Sequence, residues 1–486
     1  MNTLLKYTQI GCSSIALVLV LATQALAGGK VLVWGSDAEG GAPYVFSDPD
    51  HPERLIGFEV ELADALAQEM GRTARQFQTD WTSLIPALKR GDFDIAMNGI
   101  EWTPVRAREA ALSQPYYIFS QQLVVRADEE RIHSFSDLHG MRVATLQGTA
   151  AHDMLKATPG VETVIYSGQV EPYKDLKLGR VDAVLLDLPI AAFYAKPDAQ
   201  LKYAGPPVGE GAYVIALRRE DTVLLGEINR ALDNLFRSGR LKEIYSHWEL
   251  WNEKQSGLMR PTVTPEAPSA VVNDRSIFQY LPILLQGAGM TLALSVVSMA
   301  MAIVLGLALA LARKGGGPIL KALTIGYIEI IRGTPLLVQL YIIYYGLPNI
   351  GINLSAFTAA VIGLGLNYSA YEAEIYRSGL NSIPKGQKEA ALSLGMTQVQ
   401  VYRRILLPQT VKVVLPPVTN DFISLLKDSS LVSIIAIVEL TKSYNMLAVS
   451  SMRFLELGLL TAALYLIMSI PLSILSVRLE KRFQTS

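Results

Sequence analysis

The stretch EAALSLGMTQVQVYRRILLPQ, Glu389 to Gln409, decides how this chain is read. It is polar and charged, and Val399, Tyr402, Ile405 and Leu406 recur at helical spacing to make an apolar face. Glu389, Ala390 and Ala391 open a short helix, Gly395 permits a bend through its tolerance of unusual backbone angles, and Pro408 is expected to close the element. The segments on either side are greasy enough to cross a bilayer. A helix of this kind between membrane spans needs an explanation.

The flanking charges supply its location. Ser276 to Ala312, Gly333 to Tyr371 and Leu457 to Val477 contain no charged residue, and about 20 apolar residues suffice to span the hydrocarbon core as a helix. Five spans are predicted, at 279–312, 320–346, 355–378, 412–438 and 455–478. Arg313, Lys314 and Lys321 follow the first, Arg377, Lys385, Lys388, Arg403, Arg404 and Lys412 follow the third, and Arg478, Lys481 and Arg482 follow the fifth. The loop near 347–354 carries no Lys or Arg. The positive-inside rule then puts those three groups in the cytoplasm, the C-terminus with them, and everything before residue 276 outside. The opening stretch is cytoplasmic. It suits docking into a groove on a partner protein, although amphipathicity alone also fits a helix lying flat on the membrane lipid.

The remaining composition agrees with a split chain. Of 486 residues half are hydrophobic, and the net charge of −1 gives no reason to expect nucleic acid. Residues 1–27 have one Lys, an apolar run and a terminal Ala-Leu-Ala, the layout of a secretory signal peptide. The only cysteine, Cys12, lies within it, so a mature chain would hold no disulfide, thiol nucleophile or thiolate metal site. Between Trp251 and Arg275 a Pro-, Ser- and Thr-rich segment reads as a semi-flexible tether, making 251–276 a linker. Tethering holds a receptor at high effective concentration next to its partner.

Glu389-Ala390-Ala391, Gly395 and Ile405-Leu406-Leu407-Pro408 are spaced as in the EAA loop of permease subunits of ATP-binding-cassette importers. Glu329-Ile330-Ile331-Arg332-Gly333-Thr334-Pro335 and Leu426-Lys427-Asp428-Ser429-Ser430-Leu431 resemble two further motifs of the polar-amino-acid branch. The resemblance implies an all-α five-helix transmembrane domain over 277–486. It also implies that loop 389–409 is a coupling helix seated on a separate ATPase, with Glu389, Ala390, Ala391 and Gly395 at the contact. No G-x-x-x-x-G-K-[ST] occurs in the chain, so ATP and Mg are expected on the partner and no cofactor on this chain. Two ATPase copies and a permease homodimer are the economical assembly, and a heterodimer with a second permease is the alternative.

From Lys30, short apolar strands (VLVWG, FDIAM, RVATLQG, VDAVLLD) alternate with amphipathic helices, which reads as α/β with predominantly parallel strands. Residues 28–250 also resemble the bilobal amino-acid-binding proteins of the periplasmic-binding-protein class. The matching motifs are Gly57-Phe58-Glu59-Val60-Glu61-Leu62, Trp81-Thr82-Ser83-Leu84, Thr103-Pro104-Val105-Arg106 and Leu146-Gln147-Gly148-Thr149. Lobe one is expected at 30–120 and 215–248, and lobe two at 121–214, with crossings near 119–126 and 209–217. Arg106 has the planar fork that pairs with a carboxylate, and by resemblance it anchors the ligand carboxylate with the backbone near Gly148 and Thr149. The same resemblance gives the ligand ammonium to Asp187 and the cover of its side chain to Trp81. Glu101, in the Asn98-Gly99-Ile100-Glu101 turn, stands where many members of the class carry a Ser or Thr that binds the ligand ammonium, and a carboxylate there is expected to do the same job more strongly. With Asp37 and Glu59 it makes the pocket acidic and points to a basic or polar amino acid (Arg, Lys, His or Gln).

Ionisable groups within spans are costly and therefore functional or paired. Asn367, Tyr371 and Glu374 are candidates for a membrane path; pairing is the other reading for Glu372, Glu374, Lys427 and Asp428. Two other functions fit parts of the pattern. A ligand-gated ion channel of glutamate-receptor type uses a similar bilobal domain, but all spans here follow the receptor and no T-V-G-Y-G-like filter appears. An enzyme derived from the receptor fold has no separate catalytic domain in this sequence.

Overall fold

The alternating strands of the first half build two sheets. The computed structural model describes residues 31–38, 41–259 and 276–484, so the expected signal peptide and most of the tether lie outside the described residues. The chain divides near residue 272 into two compact units. In the first, one lobe carries a five-stranded sheet in the order Thr73–Gln78, Val31–Ser36, Ile95–Ala96, Ala216–Leu217, Ala111–Leu112. The other lobe orders Leu201–Tyr203, Tyr117–Arg126, Ala183–Asp187, Arg142–Leu146 and Glu162–Tyr166, with Val208–Tyr213 also on Tyr117–Arg126.

Two expectations need correction. The sheets are mixed rather than predominantly parallel: Val31–Ser36 pairs parallel with both neighbours, but Ala216–Leu217 and Tyr117–Arg126 pair antiparallel with theirs. The cause is topological, because a chain that leaves a lobe and returns runs out and back through adjacent strands. The first crossing also lies earlier than expected, at 113–116, since Tyr117–Arg126 belongs wholly to the second sheet. The two crossing segments run side by side, Ser113 N–H donating to Ile215 O at 2.9 Å and Tyr116 N–H to Tyr213 O at 3.0 Å.

An aromatic cluster fills the base of this hinge. Tyr213 stacks on Phe119 at 4.5 Å between centroids and on Tyr117 at 5.7 Å, and Phe58 tilts against Tyr117 and Tyr245. Such rings bury a large apolar area each. The tether also begins later than its composition suggested. Residues Glu253–Met259 form a 3-10 turn, and the fully buried Gln255 clips it to the sheet edge. Its amide donates to Ile118 O at 2.7 Å and accepts from Ile118 N–H at 2.9 Å, as a neighbouring strand would.

In the second unit two helices among the described residues are long and apolar enough to cross a membrane, Ile277–Gly315 and Phe454–Lys481, and a bent pair makes a third. The expected third span is a helix, Ala356–Ser382, whose Asn367, Ser369, Glu372 and Glu374 dilute its apolarity. It packs against Leu281–Gly315 so closely that a Cβ on Gly306 would stand 2.5 Å from Glu372 Cβ. Small residues permit that approach between helix backbones. The expected fourth span is shorter than predicted. Its helix ends at Asp428, passes into a 3-10 turn over Ser429–Ile435, and stops at Ala436 in the left-handed region.

The expected second span is broken: Pro318–Gly333 and Leu336–Ile350 meet at 106°. Pro335 has no N–H, so the carbonyl of Ile331, four residues before it, loses its helical donor. The Gln339 amide replaces it, donating to Ile331 O at 2.8 Å and to Thr334 O at 3.1 Å. Asn367 Nδ2 in turn donates to Gln339 Oε1 at 3.0 Å. Inside a bilayer, freed backbone groups must find partners within the protein, and here a side-chain relay supplies them.

Glu389–Gln409 folds as two helical pieces. Lys385–Ser393 ends on Gly395, which holds the left-handed φ of 79° that its bend requires. A capping box of Thr397 and Gln400 starts the next helix. Pro408 does not close the element, contrary to expectation: a π turn over Tyr402–Leu406 leads directly into Leu407–Asp428, and Pro408 sits in the first turn of that helix. There a missing N–H costs little. The buried face is Ile383, Ala391, Val401 and Leu406, with Tyr402 and Ile405 half-buried against it. Val399, expected on that face, points outward with Leu394.

The relay at the break gives a direct test. Gln339→Leu removes the donor of two carbonyls and should destabilise the purified protein in detergent by roughly 1–3 kcal/mol, the cost of an unsatisfied buried group. Asn367→Ala, which only orients the amide, should cost less. A melting curve of Gln339→Leu superimposable on that of the wild type would refute the relay.

Candidate functional site

Arg106 is delivered into the cleft between the lobes by the short helix Pro104–Glu109, whose N-cap Thr103 accepts from the Arg106 N–H at 3.1 Å. Proline at its first position presets the turn. Arg106 is 5% exposed, and both terminal nitrogens of its guanidinium meet protein acceptors. Nη1 donates to Glu101 O at 2.8 Å and lies 3.3 Å from Glu101 Oε2, while Nη2 crosses the cleft to Gly148 O at 3.1 Å. Its Cζ stands 5.2 Å from the centre of the Trp81 ring, within cation–π range.

Trp81 is fixed at both ends. Its indole Nε1 donates to Asn98 O at 2.9 Å, and its backbone N–H to Asp37 Oδ2 at 3.1 Å. Asp37 also accepts from Gln78 Nε2 at 3.2 Å. The Asp37 carboxylate is therefore engaged in holding Trp81 and its neighbours. Glu59 is fully buried beneath the Asn98–Glu101 turn, where it accepts from the Gly99 N–H at 2.8 Å and from the Tyr116 hydroxyl. Gly99 has a φ of 59°, and a Cβ there would meet the Tyr44 ring at 2.9 Å. These contacts assign Glu59 to supporting the turn from below.

Glu101 sits at the centre. Both its oxygens take the N–H of Ala150, at 2.9 and 3.0 Å, across the cleft from Arg106's own lobe. Ala150 begins the helix Ala150–Ala157, capped by Thr149, which accepts from the His152 N–H. Gly148 precedes it with φ of 71°. Asp187, at the end of its strand, is 7% exposed and accepts from the Tyr213 hydroxyl, which shares a 2.7 Å hydrogen bond with Tyr44. Tyr44, Tyr116 and Tyr213 were not singled out by sequence reasoning. The one signal was position: Tyr116 and Tyr213 flank the crossings, and Tyr44 ends the Gly-rich segment after Asp37.

Burial dominates the electrostatics. It pushes Glu59 up to about 7, against the lowering effect of its hydrogen bonds from Tyr116 and Gly99. Burial and the nearby Asp187 raise Glu101 to about 7, opposed by Arg106. Asp187 is raised to about 6 by burial, opposed first by the Tyr213 hydroxyl. Three acids that ordinarily ionise near pH 4 are thus poised near neutrality, Glu101 and Asp187 in the field of Arg106 and Glu59 beneath the Asn98–Glu101 turn.

In the membrane unit, Glu374 bridges Arg313 and Arg377, taking two donors from the latter at 2.7 and 2.9 Å. Asp428 accepts from the Tyr368 hydroxyl at 2.7 Å. Tyr371 is half-exposed beneath Arg332, whose Cζ lies 5.3 Å from its ring centre. Asn367 serves the helix break. In loop 389–409, Glu389, Ala390 and Gly395 are exposed and Ala391 is buried.

Two family models match the chain. Residues 32–250 match bacterial extracellular solute-binding proteins, family 3, and residues 302–485 match the binding-protein-dependent transport system inner membrane component. The probable amino-acid permease protein YxeN of Bacillus subtilis (strain 168) is 43% identical over 203 residues, covering 41% of this chain and 91% of its own length. The glutamine transport system permease protein GlnP of Escherichia coli (strain K12) is 39% identical over 211 residues, 43% of this chain and 96% of its own. A solved ancestral arginine-binding protein bound to arginine shares 32% identity, covers 45% of this chain and 97% of its own, and has a TM-score of 0.42. The chain belongs to the inner-membrane components of binding-protein-dependent transport systems, with a family 3 solute-binding domain carried on the same polypeptide.

Proposed function

We propose that the chain imports amino acids with basic or polar side chains, arginine, lysine, histidine or glutamine, powered by ATP hydrolysis on a separate subunit. The observation that carries this reading is the convergence of Arg106 with Glu101 and Asp187 from opposite lobes. A zwitterion needs one buried cation and at least one buried anion as partners, because burying either of its charges unpaired costs several kcal/mol or more. An excess of acid over base favours a ligand with a further positive or hydrogen-donating group. The relatives named as amino-acid and glutamine permeases support the same substrate class. The permease match over residues 302–485 gives the segment after the receptor a transport role. It leaves the ion-channel alternative with no supporting feature.

The coupling reading rests on loop 389–409. Leu394 is 84% and Val399 74% exposed, an apolar pair presented beside Glu389 and Ala390. That surface suits a groove on an ATPase subunit, with two copies serving a permease homodimer. By charge bias the loop and the C-terminus are cytoplasmic and the receptor extracytoplasmic, in the cytoplasmic (inner) membrane of the cell.

Calorimetry on the full chain in nanodiscs should show one of the four named amino acids binding. Arg106→Ala should then lose at least about 100-fold in affinity, as expected when one partner of a buried charge pair is removed. Unchanged affinity would remove Arg106 from the site. Ligand-free stability should also depend on pH. The raised folded-state values of Glu59, Glu101 and Asp187 mean that the folded receptor holds more protons than the unfolded chain. The stabilisation is full below about pH 4 and is lost as pH rises through about 6 to 7, at up to ~1.4 kcal/mol per pH unit for each group. The melting temperature of the receptor transition should fall between pH 5 and 8, and Glu59→Gln should flatten the fall. A rising profile over that window would contradict the assignment.

A further inference from the structure

Arg106 and the N–H of Ala150 together form a seat for a carboxylate. The guanidinium brings charge and a fork of donors, and the amide stands in the first turn of a helix, where orphan N–H groups favour anions. The helix cap does not consume this donor, since Thr149 is occupied with the His152 N–H. A carboxylate already holds both parts: Glu101 takes the Ala150 N–H on its two oxygens at 2.9 and 3.0 Å and Arg106 Nη1 at 3.3 Å. Glu101 is 3% exposed. It reaches from the lobe of Arg106 to the lobe of Ala150, so the contact also ties the lobes together.

Glu101 and Gly148 take three of the five N–H groups of Arg106, and Glu101 holds both of those on Nη1. Nη1 is further committed to Glu101 O at 2.8 Å and Nη2 to Gly148 O at 3.1 Å. Two carboxylates on one amide and one guanidinium repel each other, and Asp187 adds a third negative charge nearby. We infer that Glu101 is an internal stand-in for the ligand carboxylate, and that an amino acid binds by displacing it from Arg106 and Ala150. This rests on the reading of Arg106 as the carboxylate anchor.

The exchange makes Glu101 a residue that sets affinity and selects the ligand. Only a ligand that brings its own carboxylate replaces what the seat loses. Affinity for such ligands is lowered by the fraction of receptors whose seat Glu101 holds; if about nine in ten are held, the reduction is about tenfold. The sequence expectation has the opposite sign, because a Glu101 that binds the ligand ammonium would strengthen binding.

The test measures binding to the full chain in nanodiscs of two probes. One is whichever of arginine, lysine, histidine and glutamine binds the wild type best; the other is its methyl ester, which keeps the ammonium and lacks the carboxylate. Glu101→Ala should bind the free amino acid about tenfold more tightly and leave the ester unchanged. Glu101→Gln keeps the shape and an acceptor for the Ala150 N–H, so it should show a smaller gain in the same direction and guards against misfolding of the alanine variant. A loss of affinity for the amino acid in both variants would make Glu101 an ammonium partner and overturn the inference. Equal gains for acid and ester would mean that Glu101 merely holds the lobes shut, and would overturn it as well. If no amino acid binds the wild type, the substrate assignment itself fails, an outcome distinct from either.

Discussion

A buried guanidinium between two lobes is the constraint on which the receptor is organised. Arg106 is nearly inaccessible to water, and a charge so placed must be matched by acceptors and counter-charge. Those acceptors come from both lobes: Glu101 from its own and Gly148 from the other. The lobes therefore meet through polar contacts. The hinge beneath them is aromatic and dry by contrast, with Tyr117, Tyr213 and Phe119 in stacked contact.

The membrane unit solves a different problem with similar means. A break in the helix at Pro335 leaves backbone carbonyls to be satisfied; the Gln339 amide donates to them, and Asn367 donates to the Gln339 oxygen. Charges near the helix ends are collected into pairs, with Glu374 between Arg313 and Arg377. Of the residues marked as a membrane path, Glu374 pairs with Arg313 and Arg377, Asn367 holds the Gln339 amide, and Tyr371 lies under Arg332. Leu394 and Val399 remain outward, and a surface of that kind needs something to cover it.

Much of this was legible in the sequence, and the misses have physical causes. The bend at Gly395 was legible because glycine is the residue that tolerates a left-handed backbone, whereas the capping box of Thr397 and Gln400 emerged only with the structure. The fate of Pro408 was not legible, since a π turn that absorbs a proline depends on packing above it. The bilobal receptor was visible from its motifs, but the antiparallel strands were not, because apolar runs do not reveal the direction of their neighbours. The residues Asp37, Glu59 and Glu101 were identified as acids of one pocket. Their separate partners, Trp81 N–H, Gly99 N–H and Ala150 N–H, are backbone groups, and backbone groups leave no trace in residue identity. The hinge tyrosines were not legible for a different reason: Tyr213 ends a strand and looks like ordinary core, while Tyr44 and Tyr116 lie between elements with no motif to mark them.

Under the proposed function, receptor and permease are two halves of one importer driven by an ATPase on a separate subunit. The most direct test is uptake of a radiolabelled basic or polar amino acid into proteoliposomes containing the full chain, with and without the cognate ATPase subunit inside. Concentrative uptake should appear only when both the ATPase and ATP are present. Passage of the substrate without either would contradict the account and return the chain to the class of channels.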